Sequence, residues 1–247
     1  MKYRLTDETI KVGEVILHRI ECVEAFANVK VGDKGGWIEK ESNLSQTDNA
    51  WVYGDAQVFG CAEVYGNAAV FEHVAVFEHA QVYGNAQAYG NALVYGHAEV
   101  KGNAKVSGNA KVCGNAWVCG NAWVCGNAWV CGNAKVCDNA QVRGNAKVCG
   151  NAAVHGYVIV NGFAEVKGNA EISKISDYIV FKNSFSSGRY FTWTKSNNMW
   201  TVGCFHGTGE ELIEKARQDS EEKARLYALY VKLVEDLQKV NDANPSI

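Results

Sequence analysis

The sequence predicts a mostly β protein: a solenoid of short, regularly spaced strands with a non-repetitive segment at either end. Three observations carry this expectation. A hexad recurs without a break from Trp51 to Ser173, 25 glycines stand beside one proline, and the period is lost on both sides of that stretch. A fixed short period marks a solenoid, in which each unit buries its apolar side only against its neighbours.

Each hexad reads aliphatic, variable, Gly, Asn or Asp, Ala, variable. The aliphatic register runs from Val52 to Ile172 in steps of six, which makes 21 hexads. Ala and the next aliphatic residue lie two apart, so on an extended segment they share one side and fill the interior. The residues flanking the aliphatic one point outward. Gly takes up positive φ freely and Asn is among the few other residues that do, so the Gly-Asn pair suits a corner. One hexad is therefore one short strand and one bend.

This pattern resembles the hexapeptide-repeat proteins, although Gly stands one place later than in their commonest acyltransferase hexad. The resemblance implies a left-handed parallel β-helix with three hexads per triangular turn, hence about seven triangular coils over residues 51–173. At about 4.8 Å between strands the prism would be roughly 34 Å long.

Open ends of such a stack invite end-to-end pairing, and both flanks read as caps. Residues 1–50 form a short N-terminal β cap, with strands at Tyr3 to Leu5, Ile10 to Val12 and Val15 to Val23 leading to Gly35-Gly36-Trp37-Ile38. Lys2-Tyr3-Arg4-Leu5 and Gly35-Gly36-Trp37 look like the opening of bacterial hexapeptide-repeat proteins described as acetyltransferases on their fold. Residues 174–247 form a C-terminal β-meander plus α-helix. Tyr178 to Asn183, Gly188 to Lys195 and Met199 to Phe205 alternate as three antiparallel strands, with Ser196-Asn197-Asn198 as a turn. Thr208-Gly209-Glu210-Glu211 is a capping-box pattern that opens a helix, and its apolar stripe continues through Leu212, Ala216, Leu226, Tyr230, Leu233 and Leu237. Around Ser187-Gly188-Arg189-Tyr190 this tail resembles the C-terminal modules of hexapeptide-repeat proteins carried by phages and prophages.

Composition narrows the function classes. Twenty-four Lys and Arg against 27 Asp and Glu give a net charge of −3, which excludes a strongly basic nucleic-acid coat. No run of about 18 apolar residues exists, and Met1 to Asp7 lacks the apolar core of a secretion signal, so the expectation is a cytoplasmic protein with no membrane partner. Nine cysteines, an odd number without a secretion signal, favour reduced thiols.

With 18 residues per coil, the outward residues just after the aliphatic one form ladders. Tyr53, Phe59, Tyr65, Phe71, Phe77, Tyr83, Tyr89 and Tyr95 place aromatics on every face, either as self-stabilising stacks or as a surface that a partner or second subunit covers. Trp117, Trp123 and Trp129 make a girdle within one coil, of a residue type that dominates binding interfaces. Charge divides the solenoid: residues 51–100 carry five acids and no Lys or Arg, whereas residues 101–173 carry seven bases and three acids. The basic half does not concentrate its charge into the track that nucleic acid needs, so a protein partner and a homo-oligomer, dimer or trimer, come first.

The metal reading is that no site exists, with the Cys61, His79 and His97 corner column as the one candidate; such ligands lie in a line and do not converge tetrahedrally. The expected function is a non-enzymatic β-helical binding scaffold that inhibits a bacterial macromolecule such as a defence factor, in keeping with the phage resemblance, and needs no cofactor. The alternative is an acyl-CoA-dependent acetyltransferase using acetyl-CoA. In that family a His commonly acts as general base; here only His155 projects just after the aliphatic position, and the linear sequence shows no acidic group beside it. No catalytic residue is therefore assigned.

Overall fold

The computed structural model describes residues 1–243. At the front, β1 (Tyr3–Val12) and β2 (Val15–Cys22) form an antiparallel hairpin, and β3 (Lys34–Ile38) pairs antiparallel with β2. The two short strands expected before Val12 are one strand, with an irregularity between Leu5 and Thr9 where the alternation slips.

Twenty-one two-residue strands follow, one per hexad, from β4 (Trp51–Val52) to β24 (Glu171–Ile172). They fall into three parallel sheets in which each strand lies on the one 18 residues away, for example Gln87 on Lys105 and Ala88 on Val106. Three hexads therefore make one coil. Stacking begins earlier than the uninterrupted repeat does. β3 lies parallel on Gln57–Val58, and Leu44 bridges Val64, which gives about eight turns where the hexads predict about seven. Ile38 and Leu44 are six apart, but Leu44 and Val52 are eight apart, and that excess of two hides the first coil from a period search.

The interior is the Ala and Val of the repeat, fully buried from Ala50 to Ile172. Most hexads donate three backbone N–H groups to the next coil, as in Asn67 to Gly84 O (2.7 Å), Ala69 to Ala86 O (3.0 Å) and Phe71 to Ala88 O (2.9 Å). The stack thus has a hydrogen-bond direction. Carbonyls are left over at the front and N–H groups at the rear, and buried groups of either kind need partners.

The two flanks supply opposite chemistry. At the front, the backbone N–H groups of Trp37, Glu39 and Ser45 donate to Ala56, Val58 and Val64. The buried Asn43 amide donates to the carbonyls of Gly60 (3.2 Å) and Ala62 (2.8 Å), and Lys2 Nζ donates to those of Asp48 (2.9 Å) and Ala50 (2.8 Å). Trp51, at an outward position, is buried beneath this cap against the edges of Tyr3 and Phe26. At the rear, Thr192 Oγ1 accepts from Glu165 N (2.9 Å), Ser196 Oγ from Glu171 N (2.7 Å) and Asp177 Oδ2 from Ser173 N (2.8 Å).

The rear module has four antiparallel strands, not three: β25 (Tyr178–Lys182), β26 (Tyr190–Thr194), β27 (Met199–Val202) and β28 (Phe205–Gly207). The fourth was missed because Val202 and Phe205 pair across a two-residue turn at Gly203, so one apparent strand folds on itself. The single expected helix is likewise two. α1 (Gly209–Arg217) opens on the Thr208 capping box, and α2 (Glu221–Ala243) restarts where Ser220 Oγ accepts from Lys223 N (3.1 Å). Phe191, Trp193, Trp200, Leu212, Tyr227 and Val234 form a second core between these strands and helices. The last four residues of the expected module lie outside the described residues.

Corners explain the glycines. Gly90 has φ +80, and a Cβ there would stand 2.8 Å from Gly108 N on the next coil. Where the repeat lacks Gly, a carboxylate compensates: Glu72 and Glu78 adopt φ of 58 and 61, and their side chains accept the N–H of Gly90 (2.6 Å) and Gly96 (2.8 Å). Gly90→Ala is expected to destabilise by about 2–3 kcal/mol. Gly13→Ala, at positive φ with nothing within 4 Å, should cost only about 1 kcal/mol; urea unfolding midpoints of the two variants measure the part due to coil stacking.

Candidate functional site

The exterior follows one geometric rule. A side chain just after the buried aliphatic residue meets the side chain just before it on the following coil, 16 residues later. Tyr83 Oη donates to Glu99 Oε2 (2.8 Å), Trp123 Nε1 to Ser107 Oγ (2.9 Å) and Trp129 Nε1 to Cys113 Sγ (3.1 Å) across such diagonals.

Straight down the coils, the aromatic ladders stack. Ring centroids are 4.6 Å apart for Tyr53 and Phe71, 5.2 Å for Phe59 and Phe77, 5.0 Å for Phe77 and Tyr95, and 4.8 Å for Tyr65 and Tyr83, all near parallel. These side chains and Tyr89 are half-buried, and Phe77 has a ring on either side of it. Such stacking stabilises the sheets without a partner.

The tryptophans differ. Trp117, Trp123 and Trp129 occupy one coil and one sheet each, so no equivalent ring lies above or below them. Trp117 and Trp129 remain 37% and 38% exposed, while Trp123 is half-buried. Cations take the stacking places. Lys101 and Lys135 lie 4.1 and 5.0 Å from the Trp117 ring, and Arg143 lies 5.6 Å from that of Trp123. In register, Trp129 sits between Lys111 and Lys147. The result is a belt of flat apolar rings edged with positive charge around the prism.

The corner columns are built from asparagine. From Asn49 through Asn67, Asn85, Asn103 and Asn121 to Asn139, each amide donates to the next at about 3.0 Å. In another column His79 and His97 replace Asn, and their rings stack at 4.7 Å below the exposed Cys61. Among the described residues no group of three His, Cys, Asp or Glu converges on a metal-sized point. The cysteine ladders depart from the expectation of reduced thiols. Cys119 is bonded to Cys137 and Cys131 to Cys149, each pair with Cα atoms 4.7 Å apart, because parallel register brings like positions within disulfide range. Cys22, Cys61, Cys113, Cys125 and Cys204 are free.

One residue acquires a partner that the sequence reading overlooked. His155 Nε2 lies 2.9 Å from Glu171 Oε1, on the same 16-residue diagonal. That spacing was the available signal, and it becomes legible only once coil length and side-chain direction are combined.

Tyr95 shows what these contacts do to ionisation. Hydrogen bonding to Cys113 and then burial push its phenol up to about 12, against about 10 unfolded. The neutral form is favoured in the fold, so the associated stability is complete below about pH 10 and lost as pH rises towards 12. In ultraviolet phenolate titrations read against Tyr95→Phe, Cys113→Ala should move the Tyr95 transition downward; an unmoved transition contradicts the contact.

No protein-family model matches the chain. Over an alignment of 60 residues that covers 21% of the chain and 18% of the other protein's length, the sequence is 35% identical to the uncharacterized acetyltransferase YdcK of Escherichia coli (strain K12). Uninterrupted hexads, three parallel sheets repeating every 18 residues and this local likeness together fit a hexapeptide-repeat β-helix protein.

Proposed function

We propose that the protein is a non-enzymatic binding scaffold whose β-helix presents the tryptophan girdle to a protein partner. The observation that carries this reading is that Trp117, Trp123 and Trp129 ring a single coil, exposed or half-exposed, with cations instead of like rings beside them. Large aromatics edged by Arg or Lys supply much contact area at little entropic cost, and they dominate interface energetics. The stacked ladders ahead of the girdle, Tyr53 to Tyr95, extend the apolar exterior towards a partner or a second copy in a dimer or trimer. The resemblance of the tail to phage modules supports an accessory role in which binding inhibits a bacterial macromolecule such as a defence factor. No described helix is long and apolar enough to cross a membrane.

A second reading, acetyl-CoA-dependent acetyl transfer, draws on the likeness to YdcK and on the His155–Glu171 pair, an imidazole held by a carboxylate as a general base requires. Calorimetry with acetyl-CoA separates the two. The scaffold reading expects no binding; binding that His155→Ala leaves intact while abolishing transfer to an amine or hydroxyl acceptor would establish the enzyme.

Replacing Trp117, Trp123 and Trp129 together with Ala should leave the circular dichroism spectrum unchanged, since all three sit outside the Ala and Val core. It should abolish capture of the partner from a bacterial lysate, and retained capture rejects the girdle as the binding surface.

A further inference from the structure

Beyond the solenoid, the rear module contains a cleft of about 430 Å³ between the β27–β28 hairpin, α1 and the start of α2. That lies within the range of small-ligand pockets, about 300–1,000 Å³. Its chemistry is one-sided. Arg189, Lys215 and Lys223 line it with a single carboxylate, Asp219. Asp219 pairs with Lys223, and Lys215 and Arg189 also lie close enough to help hold its carboxyl below the usual range. Neither Arg189 nor Lys215 is in an ion pair among the described residues; Lys215 Nζ donates only to Gln218 Oε1 (3.0 Å). Three cations around one anion leave an excess of two positive charges. His206 adds none, because burial and then Lys167 hold it towards its neutral form.

The rest of the lining is apolar. Phe205 forms a half-buried wall, and Tyr227, Leu212 and Val202 form a floor continuous with the module's core. Positive φ at Gly203 lets the β27–β28 turn fold tightly, with the Arg189 side chain beside it at 3.8 Å from the position a Cβ would take. A solvated surface patch needs no such wall, and a purely apolar cleft needs no such charge.

We propose that this cleft binds a small phosphomonoester bearing a planar ring, its phosphate at Arg189 and Lys215 and its ring against Phe205. A phosphomonoester carries about −1.5 to −2 near neutral pH, matching the excess charge, and its oxygens suit the guanidinium fork. Binding here is independent of the tryptophan girdle.

Calorimetry on the full chain tests this with adenosine 5′-monophosphate, inorganic phosphate and adenosine as probes. The monophosphate should bind at least about tenfold more tightly than either fragment, since each lacks one of the two contacts. The double variant Arg189→Ala, Lys215→Ala should weaken binding at least about 30-fold while melting like the parent chain. Asp219→Asn should tighten binding several-fold, because it removes the opposing charge and frees Lys223, an effect that a merely structural role for these residues does not produce. Absence of binding at millimolar monophosphate overturns the proposal. So does equal affinity for inorganic phosphate, an unaffected double variant, or weaker binding by Asp219→Asn.

Discussion

The structure depends on one constraint: every coil of the hexad repeat has 18 residues, so each side chain there sits on its own equivalent one strand spacing away. Neighbouring Cα atoms in these columns are 4.7 Å apart where the cysteines pair. At that distance like must tolerate like. Alanine and valine columns close-pack inside, asparagines hydrogen-bond to asparagines, flat rings stack, and thiols come within bonding range. At the corners the backbone is left-handed and approaches so closely that a Cβ would be crowded at most positions. The exceptions, Glu72, Glu78 and Asp138, repay their backbone strain by accepting a glycine N–H from the next coil. Part of the acidic character of the front half is therefore committed to holding corners.

A parallel stack also has polarity, and this dictates two unlike ends. Surplus carbonyls at the front are met by donors, namely backbone N–H groups, the Asn43 amide and the Lys2 ammonium. Surplus N–H groups at the rear are met by acceptors, the hydroxyls of Thr192 and Ser196 and the carboxylate of Asp177. Neither cap can do the other's work. Each also closes an edge that would otherwise recruit another chain.

What the exterior can do follows from where the columns stop being uniform. Uniform columns satisfy themselves, as the aromatic stacks of the front half do. A residue without its like above and below must find another partner or remain available. The tryptophan coil is such a break, and so is His155 with Glu171; outside the columns, Arg189 and Lys215 in the rear cleft likewise have no ion-pair partner among the described residues. The girdle is apolar with a cationic edge, whereas the cleft is concave and positively charged, so the two surfaces suit ligands of different size and kind.

The repeat from Trp51 to Ser173, its inward Ala and Val, its glycine corners and its outward ladders were all legible from the chain alone, because a strict period of six couples position to direction without reference to anything distant. The capping box at Thr208 was legible for the same reason, being local. What only tertiary structure decided lies across breaks in that period or between its ends. The first coil at Ile38 and Leu44 is masked by two extra residues, the β27–β28 hairpin is hidden in what reads as one strand, and the helix divides at Ser220. The His155–Glu171 contact and the cations over the tryptophans arise from residues brought together by coil closure, and the rear cleft from the folding of the rear module on itself, so none of them is legible from the hexad alone.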